Sequence, residues 1–537
     1  MAVAVVVRTY GMRSLVYCNP DEALWAYFLV NSAKLPVLGS DPLHSALARS
    51  FSWDSGWPVC ALYLAYVKAL DALHIPISEA SLPFPLALIG ALISLAVFRL
   101  GCELRGTAAG MLAALLIAII PLMVMQSRSI GGFHQPASSL LFLASALALI
   151  RYLREPTSRR CELWAGLALA LYVCSDLQFP IGLVVLGALL VIWPRHPDYQ
   201  GWQGLGRLIL KPRLLVPPLV LFFPYIIIYM YACRLGYPDQ TYLGTMLVEH
   251  PADWGLHIVG FLADLRYNIG LPLLVSLILI PPVVVAGWAD HRLKWLSLWA
   301  GLTALPFLVA VSREVTVSHY YHEHLIVALT LLTVIALGAV RRRWLAATLA
   351  AVVVCGTLAT SLGGVLKVEP LTVFWPYPGT TYGGIAPNYG MKTVGYWVRE
   401  HLEPEHRIFV ENSPPVAYWY LGRPTITGGY GHDEPYRRAL LARVRDQVDV
   451  AILPVYSREW AMRNLVPHGF VGHVVVRSEG QPVQDIFTRW PLDEELNTAA
   501  VDPLYDRKYS SLSTILPTVG PYVPDKPIVI PKPAGQG

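Results

Sequence analysis

The chain has 537 residues, 55% hydrophobic and 14% charged, with a mean hydropathy of +0.48. Soluble domains carry roughly 25% charged residues, so the composition excludes an ordinary soluble protein and points to an integral membrane protein. The net charge of +5 gives no footprint for a nucleic-acid partner.

Met1–Val7 (MAVAVVV) is apolar but far shorter than the roughly 20 residues that span a bilayer. It lacks the basic start and the cleavage site of a signal peptide. It reads as a truncated first helix, as the result of an upstream start, or as an imperfect helix running to about Tyr17. Next comes Asn19-Pro20-Asp21-Glu22-Ala23, an adjacent acidic pair just past the first hydrophobic segment. Carboxylates at a membrane boundary cost free energy unless solvated or partnered. The plain alternative is a solvated first helical turn, where acids are favoured. Ala23–Val30 reads as an interfacial helix, and Trp53, Trp57, Tyr63 and Tyr66 as an aromatic belt.

Hydrophobic spans are predicted at 83–99, 107–125, 136–153, 162–178, 180–194, 213–233, 270–288, 294–312, 323–340 and 344–362. With the N-terminal segment they make about eleven transmembrane helices. Alternate loops are basic: Arg99 and Arg105; Arg151, Arg154, Arg159 and Arg160; Arg195, Arg207, Lys211 and Arg213; Arg292 and Lys294; Arg341, Arg342 and Arg343. The positive-inside rule makes these five cytoplasmic. The outer set is then 8–82, 126–135, around 176–179, 234–268, 313–322 and everything after 363. The predicted fold class is therefore a polytopic α-helical membrane protein with a C-terminal extracytoplasmic α/β domain. Its parts are a transmembrane domain, 1–363, with first outer loop 8–82, and an outer domain, 364–537, with a Pro-rich tail, 517–537.

In the outer domain, Lys392–Leu402 has helical spacing, Arg407–Val410 reads as a strand and Pro415–Leu421 as a helix. Tyr436–Gln447 is an amphipathic helix, Val448–Leu453 a buried strand, Ser457–Leu465 a helix and Val471–Val476 a strand. Helices alternating with short apolar strands argue for an α/β fold. The seven cysteines (Cys18, Cys60, Cys102, Cys161, Cys174, Cys233 and Cys355) show no metal-type CxxC spacing and no disulfide framework. Cys18 and Cys60 share one predicted loop, where a pair could form.

Reactive residue types concentrate in the predicted outer loops. The first holds Asp21, Glu22, His44, Arg49 and Asp54; the second Arg128 and His134; the third Asp176. The fourth holds Arg234, Glu249, His250, Asp253 and Arg266, and the fifth Arg313, Glu314, His319, His322, Glu323 and His324. A carboxylate base with convergent cations suits transfer of a sugar from a phosphate leaving group. The base takes the acceptor's hydroxyl proton and the cations stabilise the departing phosphate. The stretch His319/His322/Glu323/His324 has residue types that suit zinc, but His322 and His324 would point to different faces of a helix and HEH is not HExxH. A substrate- or phosphate-facing patch and a simple helix cap are the other readings. Gly431-His432-Asp433-Glu434 reads as a turn.

The acidic pair, the stretch Trp53-Asp54-Ser55-Gly56-Trp57-Pro58, the helix Leu82–Arg99, and Gln126-Ser127-Arg128-Ser129-Ile130 after the third helix are set in a bundle of about a dozen helices ending in an α/β domain. Together these resemble the C-type glycosyltransferase (GT-C) superfamily, in its protein-mannosyltransferase and lipid A aminoarabinose-transferase branch. The resemblance implies an inverting glycosyltransferase of the cell (bacterial inner) membrane that uses a polyprenyl-phosphate-linked sugar at the outer face, among membrane lipid. It implies Asp21 as base or orienting group with Glu22 beside it, and Arg128 and Arg313 on the phosphate. Asp54, Asp176, His319 and His322 complete the candidate substrate set. No cofactor is required on this reading; a divalent metal on His319, His322 and His324 is the weaker option. Two departures matter. Phe133-His134-Gln135-Pro136 stands where many members carry an acid, and Ser318–His324 where members often have an Arg-Tyr pair. They keep open a non-catalytic relative acting as a scaffold with partner membrane subunits. A transporter reading finds no Gly/Pro-broken helices in matching halves.

Overall fold

The computed structural model describes residues 1–10, 26, 29–35, 57–128, 130, 134–175, 179–234, 259, 261–262, 265–266, 268–309, 323–366, 390–411, 414–423, 425–427, 434–478 and 480–515. The chain divides into two compact units, residues 1–73 with 77–389, and residues 74–76 with 390–537.

The first unit is helical. Its elements are α1 (Ala2–Thr9), α2 (Trp57–Ala72), α3 (Phe84–Arg105), α4 (Thr107–Ile119), α5 (Pro121–Gln126), α6 (His134–Arg154), α7 (Arg159–Val173) and α8 (Phe179–Ile192). They continue as α9 (Gly201–Ile209), α10 (Pro212–Arg234), α11 (Leu271–Ser276), α12 (Ile280–Ala286), α13 (His291–Val309), α14 (Glu323–Ala339) and α15 (Arg343–Gly364). Among the described residues, each of the ten spans read from the sequence is mainly helical. Among the described residues, three helices (α3, α6 and α15) are long and apolar enough to cross a membrane, or four if α9 and α10, bent by 50°, count as one span. Helices α4, α8, α14 and the α11–α12 pair are apolar but shorter, so a count of eleven is not established. The apolar side chains face outward in rows. On α10, Val216, Leu219, Val220, Phe223 and Ile227 are all exposed, as are Leu88, Leu92 and Leu95 on α3. Such rows suit lipid and not water.

Backbone chemistry explains where the helices break. The 107–125 span is not one helix: it ends at Ile119, Ile120 is extended (φ −62°, ψ 130°) and α5 starts at Pro121. Proline lacks the N–H that the Ile117 carbonyl would accept from. Between α11 and α12 a short 3-10 turn, Leu277–Leu279, precedes Pro281 and Pro282. Helices α3 and α4 form a hairpin through Gly106, which sits at φ +94°, a left-handed value that favours glycine. The hairpin is tight because Gly101 meets Gly110: a Cβ on Gly101 would stand 2.7 Å from the Gly110 Cα.

Helix α1 ends at Thr9, with Tyr10 extended; the rest of the stretch to Tyr17 lies outside the described residues. Arg8, placed in the first outer loop from the sequence, instead lies in the last turn of α1 and is fully buried. Tyr63, read as an interfacial anchor, is fully buried on α2 and edge-on to Tyr66 at 6.4 Å. Cys60 is a free, buried thiol; Cys18 lies outside the described residues.

The second unit is α/β: α16 (Met391–His401), β1 (Ile408–Val410), α17 (Pro414–Leu421), β2 (Ile426–Thr427), α18 (Glu434–Val444), β3 (Val450–Pro454), α19 (Arg458–Asn464), β4 (Gly472–Ser478), β5 (Gln481–Thr488), β6 (Asp493–Asn497) and α20 (Thr498–Tyr509). The sheet order is β2-β1-β3-β5-β4-β6. Pairs β1–β2, β1–β3 and β4–β6 are parallel, and β3–β5 and β4–β5 antiparallel. Every residue of β1 and β3 is buried, so both faces are covered. Phe409, Ala451, Leu453 and Phe487 pack with Leu440, Leu441 and Val444 of α18 and with Ala461 of α19. On the helical side of this unit, α20 is tied to α16 and α17. Lys392 pairs with Asp506 at 3.0 Å, Thr393 donates to Asp502 at 2.7 Å, and the Tyr505 hydroxyl donates to the Tyr420 carbonyl at 3.0 Å. The seven elements read here from the sequence are present. β2, β5, β6 and α20 were not read: β6 (DEELN) is an edge strand of polar residues with no apolar alternation, and Pro503 lies inside α20.

Candidate functional site

Polar side chains at several helix ends of the first unit are buried: Arg8 in the last turn of α1, Ser127 and Arg128 at the end of α5, Gln135 and Ser138 at the start of α6, Ser175 after α7, and Glu323 and His324 at the start of α14; those of α1 and α5 meet in one region. The charge pattern assigns all of these ends to the outer face.

Arg8 is the centre of this region. Its Nε donates to Ser127 Oγ at 3.1 Å, Nη1 to the carbonyls of Ala118 (3.0 Å) and Ala4 (3.2 Å), and Nη2 to that of Ile117 (3.1 Å). Ser127 in turn donates to the Met123 carbonyl at 2.6 Å. The Ile117 and Ala118 carbonyls are those that the break at Pro121 deprives of helical partners; Ser361 Oγ from α15 donates to the third, Ile119. A cationic fork thus caps the C-terminal end of α4, where the helix dipole also favours positive charge. The buried Glu323, first residue of α14, acts electrostatically on Arg8. Little tolerance exists around this fork: a Cβ on Gly90 of α3 would stand 2.1 Å from Ser127 Oγ and 2.4 Å from Arg8 Nε.

Arg128, a predicted phosphate ligand, is buried next to this cluster. Its Nη1 donates to the carbonyls of Arg8, at 3.3 Å, and of Tyr10. It therefore fixes the chain as it leaves α1 toward the acidic pair. His324, the weak metal candidate, is buried among aromatic rings, edge-on to Phe142 at 5.0 Å and Tyr172 at 6.3 Å. Phe142 also packs on Trp299 at 4.8 Å. Among the described residues no group of three His, Cys, Asp or Glu could hold a metal ion.

The remaining predicted site residues lie outside the described residues: Asp21, Glu22, Asp54, Asp176, Arg313, His319 and His322. The structure thus brings Arg128 and the start of α14 into one region, gives Ser127 of the Gln126–Ile130 stretch a partner, and adds Arg8, which the sequence reading did not single out. Two signals pointed to Arg8: a lone Arg closing an apolar helix, and a proline within the 107–125 span that leaves carbonyls needing donors.

No protein-family model matches the chain, and no curated protein matches it. Solved structures do. ArnT from Cupriavidus metallidurans bound to undecaprenyl phosphate aligns with a TM-score of 0.56, covering 90% of this chain and 96% of that one at 14% identity. The same protein in the apo state aligns with a TM-score of 0.54 over the same shares, also at 14% identity. The archaeal oligosaccharyltransferase AglB from Archaeoglobus fulgidus, in complex with an inhibitory peptide and a dolichol-phosphate, gives 0.47 over 88% of this chain and 71% of its own, at 15% identity. The chain therefore shares its fold with ArnT over 90% of its length.

Proposed function

We propose that this protein transfers a sugar from a polyprenyl-phosphate donor to a hydroxyl-bearing acceptor at the outer face of the membrane. The reading is supported by the alignment with ArnT, whose structure holds undecaprenyl phosphate. The observation that carries it is the buried Arg8–Ser127–Arg128 constellation. It anchors the stretch of chain that leads, eleven residues after Tyr10, to Asp21 and then Glu22.

In this mechanism Asp21 takes the proton of the acceptor hydroxyl as its oxygen attacks the anomeric carbon. The bond from that carbon to the phosphate oxygen breaks, and the configuration inverts. Arg128 and Arg313 stabilise the charge that develops on the leaving phosphate. Glu22, Asp54, Asp176, His319 and His322 line the acceptor and donor sides. A divalent metal is not needed in this chemistry, because the guanidinium groups supply the countercharge.

The test is sugar transfer from a polyprenyl-phosphate donor by wild type and Asp21→Asn at matched folded levels. Loss of a general base costs about 10²–10⁴ in rate. A solvated helix-start Asp would cost only stability, at most about 1 kcal/mol, so equal rates reject Asp21 as base. The second reading is a non-catalytic scaffold subunit, favoured by the absence of an acid in Phe133-His134-Gln135-Pro136. No transfer by wild type across a broad donor and acceptor panel, with co-purifying membrane subunits, would establish that reading instead.

A further inference from the structure

At the opposite, basic ends of the helices lies a cavity of about 420 Å³, lined by Cys102, Glu103 and Arg105 from the end of α3, Gly106, Asp290 and Arg292 at the start of α13, and Ile335 of α14. Its carboxylates are already engaged. Glu103 pairs with Arg154 at 2.6 Å, and Asp290 accepts the Arg292 backbone N–H at 2.9 Å. Its cations are less committed. Arg105 makes no ion pair among the described residues, and Arg292 places Nη1 on the Leu104 carbonyl at 2.8 Å while its Nε is buried without a hydrogen bond. The N-terminus of α4 opens on the same cavity. Its N-cap is Gly106, no side chain caps it, and beyond its chain neighbours no heavy atom lies within 4 Å of where a Gly106 Cβ would stand. The first-turn N–H groups of a 13-residue helix therefore point their partial positive charge at this space.

We propose that this cavity binds a phosphate group, the headgroup of an anionic phospholipid from the leaflet on the basic side. Two guanidinium groups and an uncapped helix start are the donor set that phosphate oxygens need. Helix α3, whose C-terminal end lines the cavity, carries exposed Leu88, Leu92 and Leu95 farther along its length, as a lipid-facing helix does, and this favours a lipid source over free phosphate. Arg99 of α3, Lys294 of α13 and Arg341–Arg343, the last of which opens α15, belong to the same basic side of the charge pattern, and basic pockets between membrane helices draw anionic headgroups.

The test uses the full chain in nanodiscs of phosphatidylcholine alone, of phosphatidylcholine with phosphatidylglycerol, and of phosphatidylcholine with inorganic phosphate in the buffer. Native mass spectrometry counts retained lipid, and peptide mass spectrometry measures maleimide alkylation of the half-buried Cys102. Phosphatidylglycerol should be retained and should slow Cys102 alkylation. Arg105→Gln, an exposed position whose unfolding temperature should match wild type, should weaken retention about 10- to 100-fold, the loss of one charged hydrogen-bonding contact. Slowing by inorganic phosphate alone assigns the site to free phosphate. Unchanged alkylation in all three conditions, or retention indifferent to Arg105→Gln, overturns the proposal.

Discussion

Replacing Arg8 by Met keeps an apolar stem of similar length and removes the guanidinium. Four hydrogen bonds go, to Ser127, Ala4, Ala118 and Ile117. The Ser127 and Ala4 losses are modest, because Ser127 keeps its bond to Met123 and the Ala4 carbonyl sits within α1, where the backbone can serve it. The Ile117 and Ala118 carbonyls are different, since Pro121 and the extended Ile120 offer them no amide. An unsatisfied buried acceptor costs about 1–3 kcal/mol, so two cost about 2–6 kcal/mol, in the range for breaking a buried charged network. Arg8→Lys keeps the charge but not the fork and should fall between the two. Ser361→Ala, which frees only the Ile119 carbonyl, should cost about 1–3 kcal/mol. The assay is thermal unfolding of purified protein followed by tryptophan fluorescence, with hydrogen-exchange mass spectrometry on 107–126. The expected order of stability is wild type, then Ser361→Ala and Arg8→Lys, then Arg8→Met, with exchange rising first at 117–124. An Arg8→Met protein that melts with wild type and exchanges no faster across the α4–α5 break would refute the capping argument.

In the second unit, Asp485 is fully buried, takes a two-pronged pair from Arg458 at 2.6 and 2.9 Å and lies 2.9 Å from His473 Nε2. Asp485→Asn leaves Arg458 without its countercharge and should destabilise this unit by about 3–5 kcal/mol, seen as faster limited proteolysis after residue 390; wild-type resistance would show the pair to be dispensable. Glu400 accepts from Lys508 at 2.6 Å and from the Tyr509 hydroxyl, and the Lys508 bond, followed by that of Tyr509, holds its pKa below the usual carboxylate value. Because the folded pKa is the lower one, this group's stabilisation is present above the unfolded value of about 4.3 and disappears as pH falls through the folded value. The contribution is small at this exposed site, and a pH series of unfolding temperatures should be flatter on the acid side in Lys508→Met; identical curves would remove the claim. Finally, a reporter active only in the cytoplasm, fused after Gly537, should stay silent if the basic loops face in, and a strong signal would invert every outer-face assignment.

Composition and hydrophobic runs alone determined that the chain forms a bundle of apolar helices followed in sequence by an α/β unit. Burial in lipid demands long apolar segments, and a sheet covered on both faces demands short apolar strands such as Val450–Pro454. Arg128 also stood out in the sequence, because charge is rare in such a chain; the acidic pair lies outside the described residues. Where two distant segments meet was not legible. Nothing local to Arg8 says that its fork reaches 109 and 110 residues ahead to the Ile117 and Ala118 carbonyls. Sequence shows that Pro121 withholds an N–H; only the packing of α1 and α15 against α4 decides which side chains supply the missing donors. The same holds for the basic cavity. Arg105 and Arg292 read as two separate loop charges, and they share one space because the Gly101–Gly110 approach turns α3 back on α4 and brings the start of α13 beside it. Hydropathy and charge are one-dimensional properties that local sequence carries. Satisfying buried backbone groups and gathering charges are pairwise properties, and they exist only once the chain is folded.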